Sequence, residues 1–320
     1  MPDSFAAATA AGADAKFRDP LWTATGERRA SVRLHRLTTL WFNTGTLCNL
    51  ECANCYIESS PKNDRLVYLT LADVAPYLDE IGRDGWPVRE IGFTGGEPFM
   101  APEFIPILRE TLRRGFEVLV LTNAMRPMMK MAGGLLALKE RYGDRLTIRV
   151  SLDHYAQEQH EQIRGPRSWD PAIKGIRWLA DNGFRLNIAG RTFWAEGQDR
   201  VHEGFRRLIQ SEGWPIDPTD PAALVLFPEM DLDADVPEIT TGCWDILGKR
   251  PEDIMCASSR MVVKRKGAAK ATVAACTLLP YDPAFELGES LAEASGAVSL
   301  NHPHCATFCV LGGGSCSAAD

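Results

Sequence analysis

From about Leu37 the chain alternates short apolar runs with amphipathic stretches. Six runs predict strands: "LTTLWFN" (37–43), "VREIGFT" (88–94), "FEVLVLT" (116–122), "LTIRVSL" (146–152), "FRLNIAG" (184–190) and "ALVLFPE" (223–229). All are rich in Val, Ile, Leu and Phe, as strands covered on both faces should be. Between them apolar residues recur at helical spacing. Thr70 is placed to N-cap a helix whose Leu71, Val74, Leu78 and Ile81 share one face. "APEFIPILRETLRRG" and "WDPAIKGIRWLADNG" run to Gly115 and Gly183, which suit C-terminal caps, and "GQDRVHEGFRRLIQSEG" supplies another helix. Such alternation predicts an α/β fold with a parallel sheet and right-handed crossovers. Sites in these folds lie in the loops after strand C-termini.

The alternation stops after about Asp231, and six of the nine cysteines follow. We therefore expect a flexible leader over 1–35, the strand–helix unit over 36–235 and a smaller C-terminal unit over 236–320.

Composition narrows the classes. The 320 residues are 45% hydrophobic and 24% charged, enough for a large core. A net charge of −7 argues against a nucleic-acid partner, which needs basic surface. No apolar run approaches the roughly 18 residues of a membrane span. The start, "MPDSFAAATAAGADAKF", lacks the basic opening and long apolar stretch of a signal peptide. A cytoplasmic location follows as the expectation, and clustered cysteines in that reducing compartment are more often metal ligands than disulfides.

The first cluster is "GTLCNLECANCY", with Cys48, Cys52 and Cys55 directly after the first strand. Thiolates are soft ligands for iron–sulfur clusters or zinc. Three ligands leave a four-coordinate site one position open. A structural zinc site would want a fourth Cys or His close by, and only His35 lies within forty residues; a zinc knuckle completed from a distance stays as the alternative. "FTGGEP" (93–98) ends the second strand: its glycines admit a close ligand, and Glu97 offers a carboxylate to a cationic group.

In this order and separation, "CNLECANC" and "GGEP" resemble the radical SAM superfamily, over roughly residues 37–230. The resemblance implies a partial (β/α)6 TIM-like barrel followed by a small cluster-binding domain containing a β-hairpin. It implies that Cys48, Cys52 and Cys55 hold a [4Fe–4S] cluster whose fourth iron takes S-adenosylmethionine, cleaved by one electron to a 5′-deoxyadenosyl radical. By the same resemblance Gly95, Gly96 and Glu97 contact the methionine amino group. "LTNA" places Asn123, and "VSLDH" places Ser151, at the cofactor; Asn187 and, from "EQIRG", Arg164 are further candidates. Each could equally be a solvated strand-end residue. Two departures stand out: Asn54 replaces an aromatic before the third cysteine, with Tyr56 just after it, and His154 replaces a glycine. His154, read first as a surface residue, adds a titratable group at the barrel mouth. Glu229, at the sixth strand's end, is a candidate substrate base.

The C-terminal cysteines resemble the SPASM and Twitch auxiliary-cluster extensions. "RMVVKR" and "KATVAA" read as a hairpin turning at Gly267, between Cys256 and Cys276. The resemblance implies one auxiliary [4Fe–4S] cluster on Cys256 and Cys276 with two of Cys305, Cys309 and Cys316. Cys243 is a ligand, a spare thiol or a hydrogen-atom donor. His302 and His304 flank Cys305 and could bind metal.

The expected function is a radical SAM enzyme oxidising or rearranging a small metabolite, reduced by a flavodoxin- or ferredoxin-type donor. A peptide maturase is the alternative. The residues before the barrel are too few for a winged-helix leader-binding domain, which tilts the expectation towards a small substrate. The rivals from other classes are a non-catalytic iron–sulfur electron carrier, which has no need of GGEP, and a zinc-dependent scaffold.

Overall fold

The computed structural model describes residues 16–192, 194, 196–228 and 234–314. Its strands, in chain order, are β1 (Ser31–Val32), β2 (Thr39–Asn43), β3 (Glu90–Thr94), β4 (Glu117–Thr122), β5 (Leu146–Ser151), β6 (Arg185–Arg191), β7 (Leu224–Phe227), β8 (Ser259–Val263), β9 (Thr272–Ala274), β10 (Glu286–Gly288) and β11 (Val298–Ser299). The helices are α1 (Leu71–Asp84), α2 (Phe104–Arg113), α3 (Arg126–Lys130), α4 (Ala132–Tyr142), α5 (Gln157–Arg164), α6 (Trp169–Asp181), α7 (Gln198–Glu212) and α8 (Cys243–Leu247). Strands β2 to β7 pair in parallel and in order, with helices in each crossover, as the apolar runs predict. This is the α/β, partial TIM-like barrel expected from the sequence.

The first crossover shows how sequence sets an element. Thr70 caps α1 reciprocally: the Asp73 amide donates to the Thr70 hydroxyl at 3.3 Å, and the Thr70 amide donates to the Asp73 carboxylate at 3.0 Å. Gly85, left-handed at φ 69°, ends it. Between the caps Val74, Leu78 and Ile81 are buried on one face, as their spacing requires.

Both faces of the sheet are covered, but by different partners. Leu40, Phe42, Ile91, Phe93, Val118 and Val120 meet the crossover helices in one core. The alternate positions Trp41, Leu119 and Met261 pack in a second core with the C-terminal residues Ile254–Val310. On β5 and β6 the face away from the helices carries Thr147, Arg149, Ser151, Asn187 and Arg191 instead. The apolar runs are thus less uniform than they read, and their polar alternates mark one side of the barrel interior.

Two expectations change. The hairpin exists, with Met261 opposite Ala274 and Gly267 at φ 82° in its turn. However, β8 pairs in parallel with β2, so the C-terminal unit extends the barrel sheet rather than standing apart. The leader expected to be flexible over 1–35 is part of the fold from residue 16 onwards. There β1 pairs antiparallel with β11, and the fully buried Arg29 side chain forms an ion pair with Glu238. A two-residue ladder and a buried charge pair leave no hydrophobic period to read.

Candidate functional site

The loop after β2 is anchored on several sides. The Cys48 amide donates to Ser60 O at 3.0 Å and the Ala53 amide to Ile163 O at 2.8 Å. Asn54 turns the chain in the left-handed region at φ 58°, which Asn tolerates better than most residues. The turns aim amides at two sulfurs: Leu50 N lies 3.4 Å from Cys48 Sγ, and Ser59 N lies 3.4 Å from Cys55 Sγ. Such donors favour thiolate over thiol. Burial acts the other way, pushing Cys48 up to about 12 and raising Cys52. Metal binding has to displace those protons.

One cleft at the C-terminal strand ends is lined by Cys48, Cys52, Cys55, Tyr56, Gly95, Gly96, Asn123, Ser151 and Arg164. These are sequence candidates brought together from β2 to β5 and from α5. Thr94, Leu121 and Arg191 join them and were not singled out from sequence. Arg191 ends β6, so the strand-end rule alone could have found it.

The glycines serve the backbone first. A Cβ on Gly96 would lie 2.3 Å from Leu47 O, and one on Gly95 would lie 2.6 Å from Gly45 O. The Gly96 amide donates to Gly45 O at 2.8 Å, locking the cysteine loop onto the end of β3. The second motif is therefore what allows the first to sit where it does.

Glu97 is buried and faces its neighbours, not the cleft. Its carboxylate accepts from Thr122 Oγ1 at 2.8 Å, Asn123 N at 2.9 Å and Phe99 N at 3.2 Å. Burial pushes its carboxyl up to about 7 against those hydrogen bonds. Its role here is to hold the end of β4, so that Asn123 donates through Nδ2 to Asn49 Oδ1 at 3.0 Å, inside the cysteine loop.

Arg164 brings charge to the thiols. Its Nε donates to Asp153 Oδ2 at 2.8 Å and its Nη2 to Asp153 Oδ1 at 3.2 Å. Arg191 Nε lies 3.5 Å from the same carboxylate. Burial raises the Asp153 carboxyl, but the two guanidiniums overcome it and hold it below the usual range. Two cations on one carboxylate leave net positive charge on the cleft wall, suited to an anionic ligand.

His154 is neither at the surface nor on the cleft. It is 1% exposed, with ring centroids 4.0 Å from Tyr155 and 4.6 Å from Trp194, and its Nδ1 accepts from Ala156 N. Burial lowers its pKa. Asn187 spends its Nδ2 on Ala222 O at 2.9 Å. Glu229 and Cys316 lie outside the described residues.

The second cysteine set gathers below. Cys256 precedes β8, Cys276 follows β9, and Cys305 and Cys309 are four apart on a π-helical segment, Cys305–Leu311. Cys256 and Cys305 are buried, and Cys276, Cys309 and Cys243 pack against the same core. Burial pushes Cys256 up to about 11 and raises Cys305 well above the ordinary thiol value, the latter helped by Cys276 and Cys256 beside it. His304 is buried next to Cys305, its ring 4.6 Å from His302.

A four-iron cluster spreads its metals and takes thiols held apart. The donors fit that group: soft thiols, amides aimed at sulfur, and a cationic wall. No helix among the described residues is long and apolar enough to cross a membrane.

Residues 42–193 match the family model described as the Radical SAM superfamily. Over 172 residues the chain is 31% identical to the antilisterial bacteriocin subtilosin biosynthesis protein AlbA of Bacillus subtilis (strain 168), covering 53% of this chain and 36% of AlbA. Over 137 residues it is 31% identical to the mycofactocin maturase MftC of Mycobacterium tuberculosis (strain ATCC 25618 / H37Rv), covering 43% of this chain and 33% of MftC. The chain thus spans about a third of the length of these curated relatives. The solved structure of tagged anSMEcpe with bound AdoMet shares the fold, with a TM-score of 0.58 at 15% identity over 80% of this chain and 79% of that one.

Proposed function

Residues 42–193 belong to the radical SAM superfamily, and on that premise we propose that the chain is a radical enzyme that matures a peptide precursor. The observation that carries the reading is the single cleft where Cys48, Cys52 and Cys55 meet Gly95, Gly96 and Arg164 at the strand ends. When bound there, a [4Fe–4S] cluster on the three cysteines, with S-adenosylmethionine, supplies the 5′-deoxyadenosyl radical that removes a substrate hydrogen.

The chain's own residues hold and orient. Arg164, fixed by Asp153, presents a guanidinium that stays charged, matched to a carboxylate of the bound cofactor. Asn123 and Ser151 offer polar groups from the ends of β4 and β5, while Tyr56 and Leu121 give the cleft apolar walls. Cys256, Cys276, Cys305 and Cys309 fit an auxiliary [4Fe–4S] cluster, a one-electron store beside the barrel interior. A flavodoxin- or ferredoxin-type protein fits as electron donor. The names of the two relatives, a bacteriocin biosynthesis protein and a maturase, favour a peptide over the small metabolite expected from sequence.

The test is anaerobic reconstitution followed by S-adenosylmethionine and dithionite. Wild type should release 5′-deoxyadenosine and Cys52→Ala should not; equal release from both would overturn the assignment. Perdeuterated peptides encoded beside the gene should pass deuterium into 5′-deoxyadenosine. Transfer from small metabolites alone would contradict the peptide reading.

A further inference from the structure

Arg260 is a buried cation without a carboxylate. It lies on β8, 1% exposed, and donates only to main-chain oxygens. Nε reaches Ala294 O at 2.8 Å, Nη1 reaches Cys256 O at 2.6 Å and Ser259 O at 2.8 Å, and Nη2 reaches Gly296 O at 3.1 Å. These acceptors take four of its five N–H groups but leave its charge uncancelled, and a buried charge without a counter-ion is costly. Among the described residues no Asp or Glu pairs with it; the titratable groups that act on it are Cys256 and Cys276. Arg29, which acts on Cys305, differs in having Glu238 as partner.

A cation in this position makes sense if its counter-ion is an anionic group on those thiols. A four-thiolate [4Fe–4S] cluster carries a charge of about −2 that becomes about −3 on reduction. A fixed positive charge stabilises the reduced form more than the oxidised one. Resting on the assignment of Cys256, Cys276, Cys305 and Cys309 as cluster ligands, we propose that Arg260 is the built-in countercharge that raises the reduction potential of the auxiliary site. The step it governs is uptake of one electron from a low-potential donor, with no proton moved and no bond broken. Arg260 acts as a positioning residue: it sets how readily the store accepts an electron and touches no substrate.

The experiment uses the full chain carrying Cys48→Ala, Cys52→Ala and Cys55→Ala, so that only the second site reports. Iron content is measured first, then the midpoint potential by EPR during dithionite titration. In Arg260→Gln the reduced-to-oxidised ratio at a fixed potential should fall about tenfold or more, equal to ~59 mV for a one-electron couple. Arg260→Lys, which keeps the charge, should stay within about threefold of the parent. Arg260→Met supplies the same charge loss if the Gln variant does not load. A neutral variant that holds iron and reduces at the parent's potential would overturn the proposal, as would equal shifts in the Lys and neutral variants. Absence of iron from the triple-Ala parent would overturn the cluster assignment itself, a result distinct from an unchanged potential.

Discussion

The two cysteine sites are built on opposite principles. The first sits on a loop, opens into a cleft, and sets its cation Arg164 against a buried carboxylate, Asp153. The second is packed into the C-terminal core, with a cation, Arg260, whose hydrogen bonds among the described residues go to main-chain carbonyls rather than to a carboxylate. An open site whose wall keeps net positive charge suits binding and turnover of an anionic ligand. A closed site with an uncompensated charge suits holding an electron. Five substitutions test whether that division is real.

The largest effect belongs to Cys52→Ala. Deoxyadenosine formation should drop to background while iron at the second site is retained, measured by chromatography and iron assay on one preparation. Loss of iron from both sites would dissolve the distinction.

Next is Asp153→Asn, which strips Arg164 and Arg191 of their shared partner. Breaking a buried pair costs about 3–5 kcal/mol, read as a lower urea midpoint. A change below ~1 kcal/mol would mean solvent already screens the pair.

Glu97 gives a pH test of similar size. Its carboxyl titrates at about 7 in the fold, because of burial, against 4.5 without it. Between those values the unfolded chain loses the proton first, so stability falls as pH rises, and the penalty is complete above 7. In cluster-free protein, wild type should lose roughly 3 kcal/mol relative to Glu97→Gln between pH 4.5 and 7.5. Buried His160 and His304, both pushed down to about 4, act in the opposite sense but equally in both proteins. A difference that does not change with pH would contradict the burial of Glu97.

The smallest effect is steric. Gly96→Ala drives a Cβ to 2.3 Å from Leu47 O and should cost about 1–3 kcal/mol, with weaker iron loading at the first site. Gly267→Ala, at the hairpin tip with open space around it, should cost only about 1 kcal/mol and leave loading intact. Equal loading losses would show that the glycines act through general instability.

Much of this is legible in the sequence because parallel strands write themselves as apolar runs and thiols as a spacing. The six barrel strands, the cap at Thr70, the hairpin, the cysteine spacing and the Gly95–Gly96 turn follow from such local signals, while Asn123, Ser151 and Arg164 were candidates only through the family resemblance. What was hidden depends on long-range partners. Nothing local says that Arg29 would be buried against Glu238, that His154 would lie between Tyr155 and Trp194, or that Glu97 would turn towards Thr122. Nor could "RMVVKR" announce that its strand joins β2 in the barrel sheet.

The most direct test of two separate sites is iron per chain after anaerobic reconstitution, in wild type and in the variant with Cys48, Cys52 and Cys55 all changed to Ala. Two clusters predict about eight irons falling to about four. A fall to zero would contradict the account and leave the C-terminal cysteines without a cluster.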